Sequence, residues 1–299
     1  QPIQAIGSGD HAMTLAKILV AASGTNEGQG ALETALLMAK RFNAHVEAIN
    51  VRRNPRDAVA FMTEGMTGAV IEEIIATAEQ DIDRRADSAS HDLVGIAERL
   101  GVEITQTPAH GHASVTFRQE EGREDEVIAE RGRLSDLVVA SRPTADGDAK
   151  EEVVAESVLM ESGSGLLLVP SGHVSDLSGN AAVAWNGSAE AARAVHRAMP
   201  LLQQAQEVAI LAPEEGSMRG PGPDSLATYL ALHGISCHVH NLPTNWTNIG
   251  DTLLEITHNE KASFLVMGAF SQGKLRQLIL GGATRFMLNH ADLPVLFTH

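Results

Sequence analysis

The stretch of this chain best suited to chemistry is FLVMGAFSQGKLRQLILGGATRFMLNHADLPVLFTH, residues 264–299. An apolar run leads into Gly268, a polar loop follows, and Gly281, Gly282, Ala283 and Thr284 stand where a helix is expected to open. Backbone N–H groups at a helix start, flanked by residues too small to obstruct, can cradle a phosphate. Thr284 adds a hydroxyl donor, and Lys274, Arg276 and Arg285 supply positive charge along the same stretch. The competing reading is that these glycines only turn the chain and cap a helix, as glycine ordinarily does at such turns.

Other candidates fall to simpler explanations. Residues 268–275, GAFSQGKL, come close to a P-loop, but Leu275 stands where a Ser or Thr must ligate Mg²⁺. His110 and His112, and likewise His238 and His240, are spaced to point two imidazoles one way on a strand. A metal site needs three or four ligands, so both pairs read as surface or capping histidines and no metal ligand is assigned. The lone Cys237 falls in an expected buried strand, where packing outweighs reactivity. Trp185 ends an apolar strand and reads as packing. No G-x-S-x-G elbow occurs and no pair nominates itself as general acid and base, so no catalytic residue is assigned.

The elements that must position these residues form one pattern written twice. Residues 16–22 read as a buried strand, 30–42 as an amphipathic helix, 45–51 as a strand and 70–100 as a long helix stopped by Gly101. Strands at 102–105 and 113–118, a helix at 123–131, a strand at 136–140, a helix at 151–161 and a strand at 165–169 follow. After a Ser/Gly-rich linker the order restarts with strand 181–185, helix 189–202, strand 207–212 and a helix ending at Gly234. Strand 235–240, helix 249–259, strand 264–267, helix 283–289 and strand 294–298 complete it. Strands alternating with helices imply two doubly wound, parallel-sheet α/β domains, expected at 13–172 and 181–299 with a linker at 173–180. Residues 1–12 are polar and patternless and read as an appended, non-native remnant ahead of a native Met13. Met62 and Met66 sit between strand and long helix, in a segment read as local loop packing rather than a flap.

With 43% hydrophobic but only 3% aromatic residues, the core is built from aliphatic side chains, as suits a covered parallel sheet. The formal charge of −16 is uneven: residues 1–172 carry 28 acidic and 15 basic groups, the remainder 10 and 7. Such a surface repels phosphate backbones and anionic lipid, which argues against nucleic-acid and membrane partners. No apolar run approaches a membrane span and no secretory leader is visible, so the cytoplasm is the expected location, in keeping with one cysteine.

The loop resembles that of the universal stress protein family. Its ATP-binding members carry Gly, two residues, Gly, nine residues, Gly and then Ser or Thr; here Gly268 and Gly281 match, while Ser271 and Gly282 replace the second glycine and the hydroxyl residue. Thr284 lies two residues on as a substitute hydroxyl. The family's aspartate after the first strand corresponds to Asn186, followed by Gly187, in the second domain and to Ser23 in the first. The first domain's counterpart loop lacks the glycines and carries Asp146, Asp148, Glu151 and Glu152, which oppose an anion. The resemblance implies a Rossmann-like tandem stress-response protein that binds AMP or ATP, with Mg²⁺ only if ATP is bound, in the second domain alone. The implied nucleotide-binding residues are Asn186, Gly187, Ala212, Gly268, Ser271, Gly281, Gly282, Ala283 and Thr284. It further implies a pseudo-dimer of the two domains through their final strands, further self-association, and protein partners that the sequence does not name. Two rivals stay open: a scaffold that binds no nucleotide, and a slow ATPase or adenylyl-transfer enzyme.

Overall fold

A computed structural model describes residues 15–58, 67–108, 110–142, 150–213, 218–243, 248–270 and 282–299. In the first half β1 (Lys17–Ala21), α1 (Asn26–Phe42), β2 (His45–Arg52) and a 3₁₀ turn (Pro55–Ala58) precede the long α2 (Gly68–Leu100). Then come β3 (Glu103–Ile104), β4 (Ser114–Glu121), α3 (Glu124–Gly132), β5 (Leu137–Ser141), α4 (Lys150–Ser157), a π-helical turn (Val158–Ser162) and β6 (Gly165–Val169). The second half runs β7 (Asn180–Ala184), α5 (Ala189–Leu202), β8 (Val208–Ala212), α6 (Pro223–Leu232) and β9 (Cys237–Asn241). It ends with α7 (Ile249–Asn259), β10 (Ala262–Gly268), α8 (Gly282–His290) and β11 (Val295–Thr298).

The strands join into one sheet of 11, in the order β3-β4-β2-β1-β5-β6-β11-β10-β7-β8-β9. Every pairing is parallel except the central one, where β6 and β11 run antiparallel with Val295 opposite Leu168 and Phe297 opposite Leu166. That contact is the joining of final strands that the family resemblance implies, and the apolar β6 and β11 suit it. Closing two parallel half-sheets on each other also removes their most apolar edges from water.

Two helical layers cover the sheet. Aliphatic residues of α1, α2, α5 and α6 pack on one face, and those of α3, α4, α7 and α8 on the other. Both layers draw on both halves, so each face carries a continuous core. The linker after β6 lies against α1: the Ser175 N–H donates to Thr34 Oγ1 at 3.2 Å, Leu177 is fully buried, and the His173 carbonyl sits where a Cβ on Gly30 would need to be.

Several polar groups are built into the first half. His45, at the start of β2, is buried, its Nδ1 2.9 Å from Ser114 Oγ and its Nε2 3.2 Å from Thr116 Oγ1, both on β4. Burial, opposed by nearby Glu47, holds its imidazole below the usual histidine range. Glu47 is 8% exposed at the side chain and pairs with Lys17 Nζ at 2.5 Å and Arg118 Nε at 3.2 Å. Two cations on one nearly buried carboxylate offset its desolvation.

Candidate functional site

The carboxyl ends of β7, β8 and β10 meet on one rim of the second half-sheet, the place where open α/β sheets take ligands. Beyond β7, Asn186 makes an Asx turn: its Oδ1 accepts the Ser188 N–H at 3.0 Å, which leaves the amide N–H₂ as the group it can offer outward. Gly187 has φ +73°, and a Cβ there would lie 2.7 Å from the Gly220 nitrogen, so only glycine fits. The segment 218–222 folds over this turn. Its Arg219 N–H donates to the Asn186 carbonyl at 2.9 Å and its Pro221 carbonyl accepts from Trp185 Nε1 at 2.9 Å. Trp185 therefore packs, as its place in the sequence implies, and also pins the cover of the turn. Ser188 caps α5 through the Ala191 N–H at 3.2 Å.

At the end of β10, Gly268 lies against the first turn of α5, where a Cβ would approach the Ala191 nitrogen to 2.6 Å. The chain then turns through Phe270, whose φ of +56° is unusual for a bulky residue. Its N–H donates to Thr284 Oγ1 at 3.4 Å, and its ring meets His299 edge-on at 5.8 Å. The buried Thr284 hydroxyl thus ties the exit of β10 to the first turn of α8. Gly282 begins α8, is exposed, and has no neighbour among the described residues within 4 Å of the position of a Cβ. Ala283 is half-buried, and Ala212 ends β8 fully buried, its carbonyl accepting the Leu242 N–H at 2.8 Å. Ser271 and Gly281, with the loop cations Lys274 and Arg276, lie outside the described residues.

The matching rim of the first half is differently filled. Thr25 caps α1 through the Gly28 N–H at 3.3 Å, and its Oγ1 lies 3.0 Å from Ser23 Oγ. Helix α2 lies across this turn: Gly24 has φ +67°, and a Cβ on it would fall 1.9 Å from the Arg85 carbonyl oxygen. The void among Ala22, Ser23, Gly24, Thr25, Leu32, Ala89 and their neighbours is about 10 Å³, room for one water at most. Asp146 and Asp148 of the counterpart loop, and Met62 and Met66, lie outside the described residues; so does the Glu151 side chain. Arg142, just past β5, donates to the Asn289 carbonyl at the end of α8 and so joins the two halves.

The larger opening, an exposed groove of about 520 Å³ along α2, is lined by Val70, Glu73, Ile74, Thr77, Ala78 and Asp81. It brings in none of the residues singled out by the sequence. Cys237 is half-buried and unoxidised, with burial pushing its thiol up and away from the reactive thiolate. His112 pairs with Glu103 at 3.0 Å. His238 and His240 converge on Glu260, an arrangement that sequence spacing could not show because the carboxylate lies about 20 residues away. Among the described residues no group of three or more His, Cys, Asp or Glu is arranged to hold a metal ion, and no helix is long and apolar enough to cross a membrane.

Residues 241–299 match the sequence profile of the universal stress protein family. No curated protein sequence matches the chain. The fold as a whole is similar to a universal stress protein from Archaeoglobus fulgidus, at TM-score 0.63 and 16% identity over 94% of this chain and 95% of that one. It is also similar to a functionally unknown protein from Pseudomonas aeruginosa PAO1, at TM-score 0.52 and 15% identity over 95% of this chain and 92% of that one. The closing segment of the chain thus matches the universal stress protein family, and the chain as a whole shares the fold of a universal stress protein.

Proposed function

We propose that this chain is a stress-response binding protein that takes one adenine nucleotide, ATP or AMP, on the rim of its second half. The observation that carries the reading is the meeting of β10 and α8: Gly268 exits the sheet against α5, and the open amino end of α8 at Gly282 is tied back to that exit through Thr284 and Phe270. A helix start of this kind offers backbone N–H donors and a positive dipole end to a phosphate. Asn186, with its oxygen engaged by Ser188, presents N–H donors suited to the acceptor nitrogens of an adenine edge. The first half is assigned no nucleotide, because α2 occupies the place where one would sit. The residues in view supply binding and orientation, with Mg²⁺ accompanying ATP when that is the ligand.

The test is mass spectrometry of small molecules released on denaturing protein purified without added nucleotide, followed by calorimetric titration with ATP and with AMP. About one adenine nucleotide per chain is expected. No released nucleotide, and no binding by calorimetry or by a second assay such as equilibrium dialysis, would overturn the reading and leave the scaffold alternative, in which partner surfaces carry the function.

A further inference from the structure

The outer edge of the sheet in the second half carries four ionisable side chains in mutual contact. His238 and His240 project from one face of β9, which among the described strands pairs with β8 alone. His238 Nδ1 lies 3.1 Å from Glu207 Oε1, just ahead of β8, and its Nε2 lies 3.0 Å from Glu260 Oε2, just past α7. The second oxygen of Glu260 faces His240 Nδ1 at 2.8 Å. Among the described residues these are the titratable groups in contact with His238; Lys261 follows Glu260 in sequence, and the opposite face of β9 packs on α6 through Cys237 and Val239.

The geometry has a protonation requirement. A neutral imidazole carries one ring proton and can donate to one carboxylate only; its other nitrogen would turn a lone pair toward the second carboxylate. The doubly protonated ring donates to both. We infer that His238, His240, Glu207 and Glu260 form a proton-operated staple that fastens the edge strand β9 to β8 and α7 in mild acid and releases one carboxylate when the ring loses its proton. Glu260 is suited to the role. Partial burial works to raise its carboxyl, but the hydrogen bonds from His240 and His238 outweigh this and hold it below the usual glutamate range. The hydrogen bonds it accepts thus keep its carboxylate ionised, the state in which it can hold both imidazoles. An edge strand is where a sheet opens or recruits another chain, so its fastening controls how readily that edge is offered. The Leu242 N–H, next after β9, bonds to the Ala212 carbonyl, which connects the edge to the rim of the half-sheet.

Amide hydrogen exchange tests this. Protection of the β9 amides, Cys237–Asn241, is expressed relative to intrinsic rates, because those rates themselves change with pH. It is expected to rise about 3-fold to 10-fold from pH 8 to pH 5.5, the scale of one partly exposed charge-assisted hydrogen bond. The His238→Gln and Glu260→Gln variants, both on half-exposed side chains, should lose most of that rise. Protection of the central strands β7 and β10, followed in the same experiment, reports any change in global stability, and the β9 rise is counted only in excess of theirs. Unchanged or falling β9 protection in the unaltered protein, or an undiminished rise in His238→Gln, overturns the staple. Loss of the rise on adding a chelator also overturns it, and would assign the cluster to a bound metal ion instead.

Discussion

Gly282 and His45 show how far single residues can separate binding from stability. Gly282 opens α8, and none of the described residues would crowd a larger side chain there. In Gly282→Glu the carboxylate would sit in the first helical turn, which favours the helix dipole and opposes a phosphate. The expected outcome is a urea midpoint within experimental error of the parent and a nucleotide affinity at least about 10-fold weaker, the scale of one lost or opposed charge interaction. Unchanged affinity by calorimetry would move the phosphate site away from α8. His45 bears on stability alone. Its folded-state pKa is depressed by burial, so its contribution is present above about pH 6.5 and is lost as pH falls through the folded value. His45→Gln, which keeps hydrogen-bonding capacity toward Ser114 and Thr116, should be less stable than the parent at pH 7.5, and this deficit in urea midpoint should shrink by pH 5.5.

At the scale of elements, α2 decides that the two halves differ. None of its residues 68–85 is buried, whereas Ala86, Ala89, Leu93, Ile96 and Ala97 are, and it is the beginning of this packed stretch that meets the turn after β1. Gly24→Ala places a methyl group against the Arg85 carbonyl in a left-handed backbone position, and one of the two must move. A loss of at least about 2 kcal/mol in chemical denaturation is expected, the range for strain at a special backbone position. A neutral result would mean that α2 docks loosely and the first rim is open. The helix itself was legible in sequence from its apolar spacing and Gly101, and α7 was legible to the residue, Ile249–Asn259. Its destination was not, because periodicity shows that a face is buried and not against what. Boundaries moved where local chemistry outweighed pattern. Helix α1 starts at Asn26, four residues before its apolar spacing begins, because Thr25 caps it. Strand β4 runs on through polar residues to Glu121 because β2 extends beside it to Arg52. At the candidate site, glycine spacing located the start of α8. The engagement of Thr284 by Phe270, and the closure of 218–222 over Asn186, depend on contacts that no local pattern encodes.

The whole molecule raises the question of whether two halves that repeat one pattern also behave as two. A chain of 299 residues would ordinarily be expected to unfold in more than one step. Here the sheet passes without a break through β6 and β11, and each of its two faces carries a core drawn from both halves. Opening either half alone would expose the fully buried Leu166, Leu167 and Leu168 or Leu296 and Phe297 of the other. At about 1.5–3 kcal/mol for each such side chain returned to water, that exposure rivals the total stability of an ordinary domain. A single cooperative transition is therefore expected, and the chain supplies its own probe. Trp185 and Trp246 both belong to the second half, so their fluorescence reports that half, while far-ultraviolet circular dichroism reports both. The two urea curves should coincide in the parent protein. Phe297→Ala, which empties a fully buried site at the junction, should move both curves together by about 3–5 kcal/mol. Should fluorescence move while part of the dichroism curve stays in place, the halves are autonomous, and the antiparallel contact between β6 and β11 is a docking surface rather than the middle of one core.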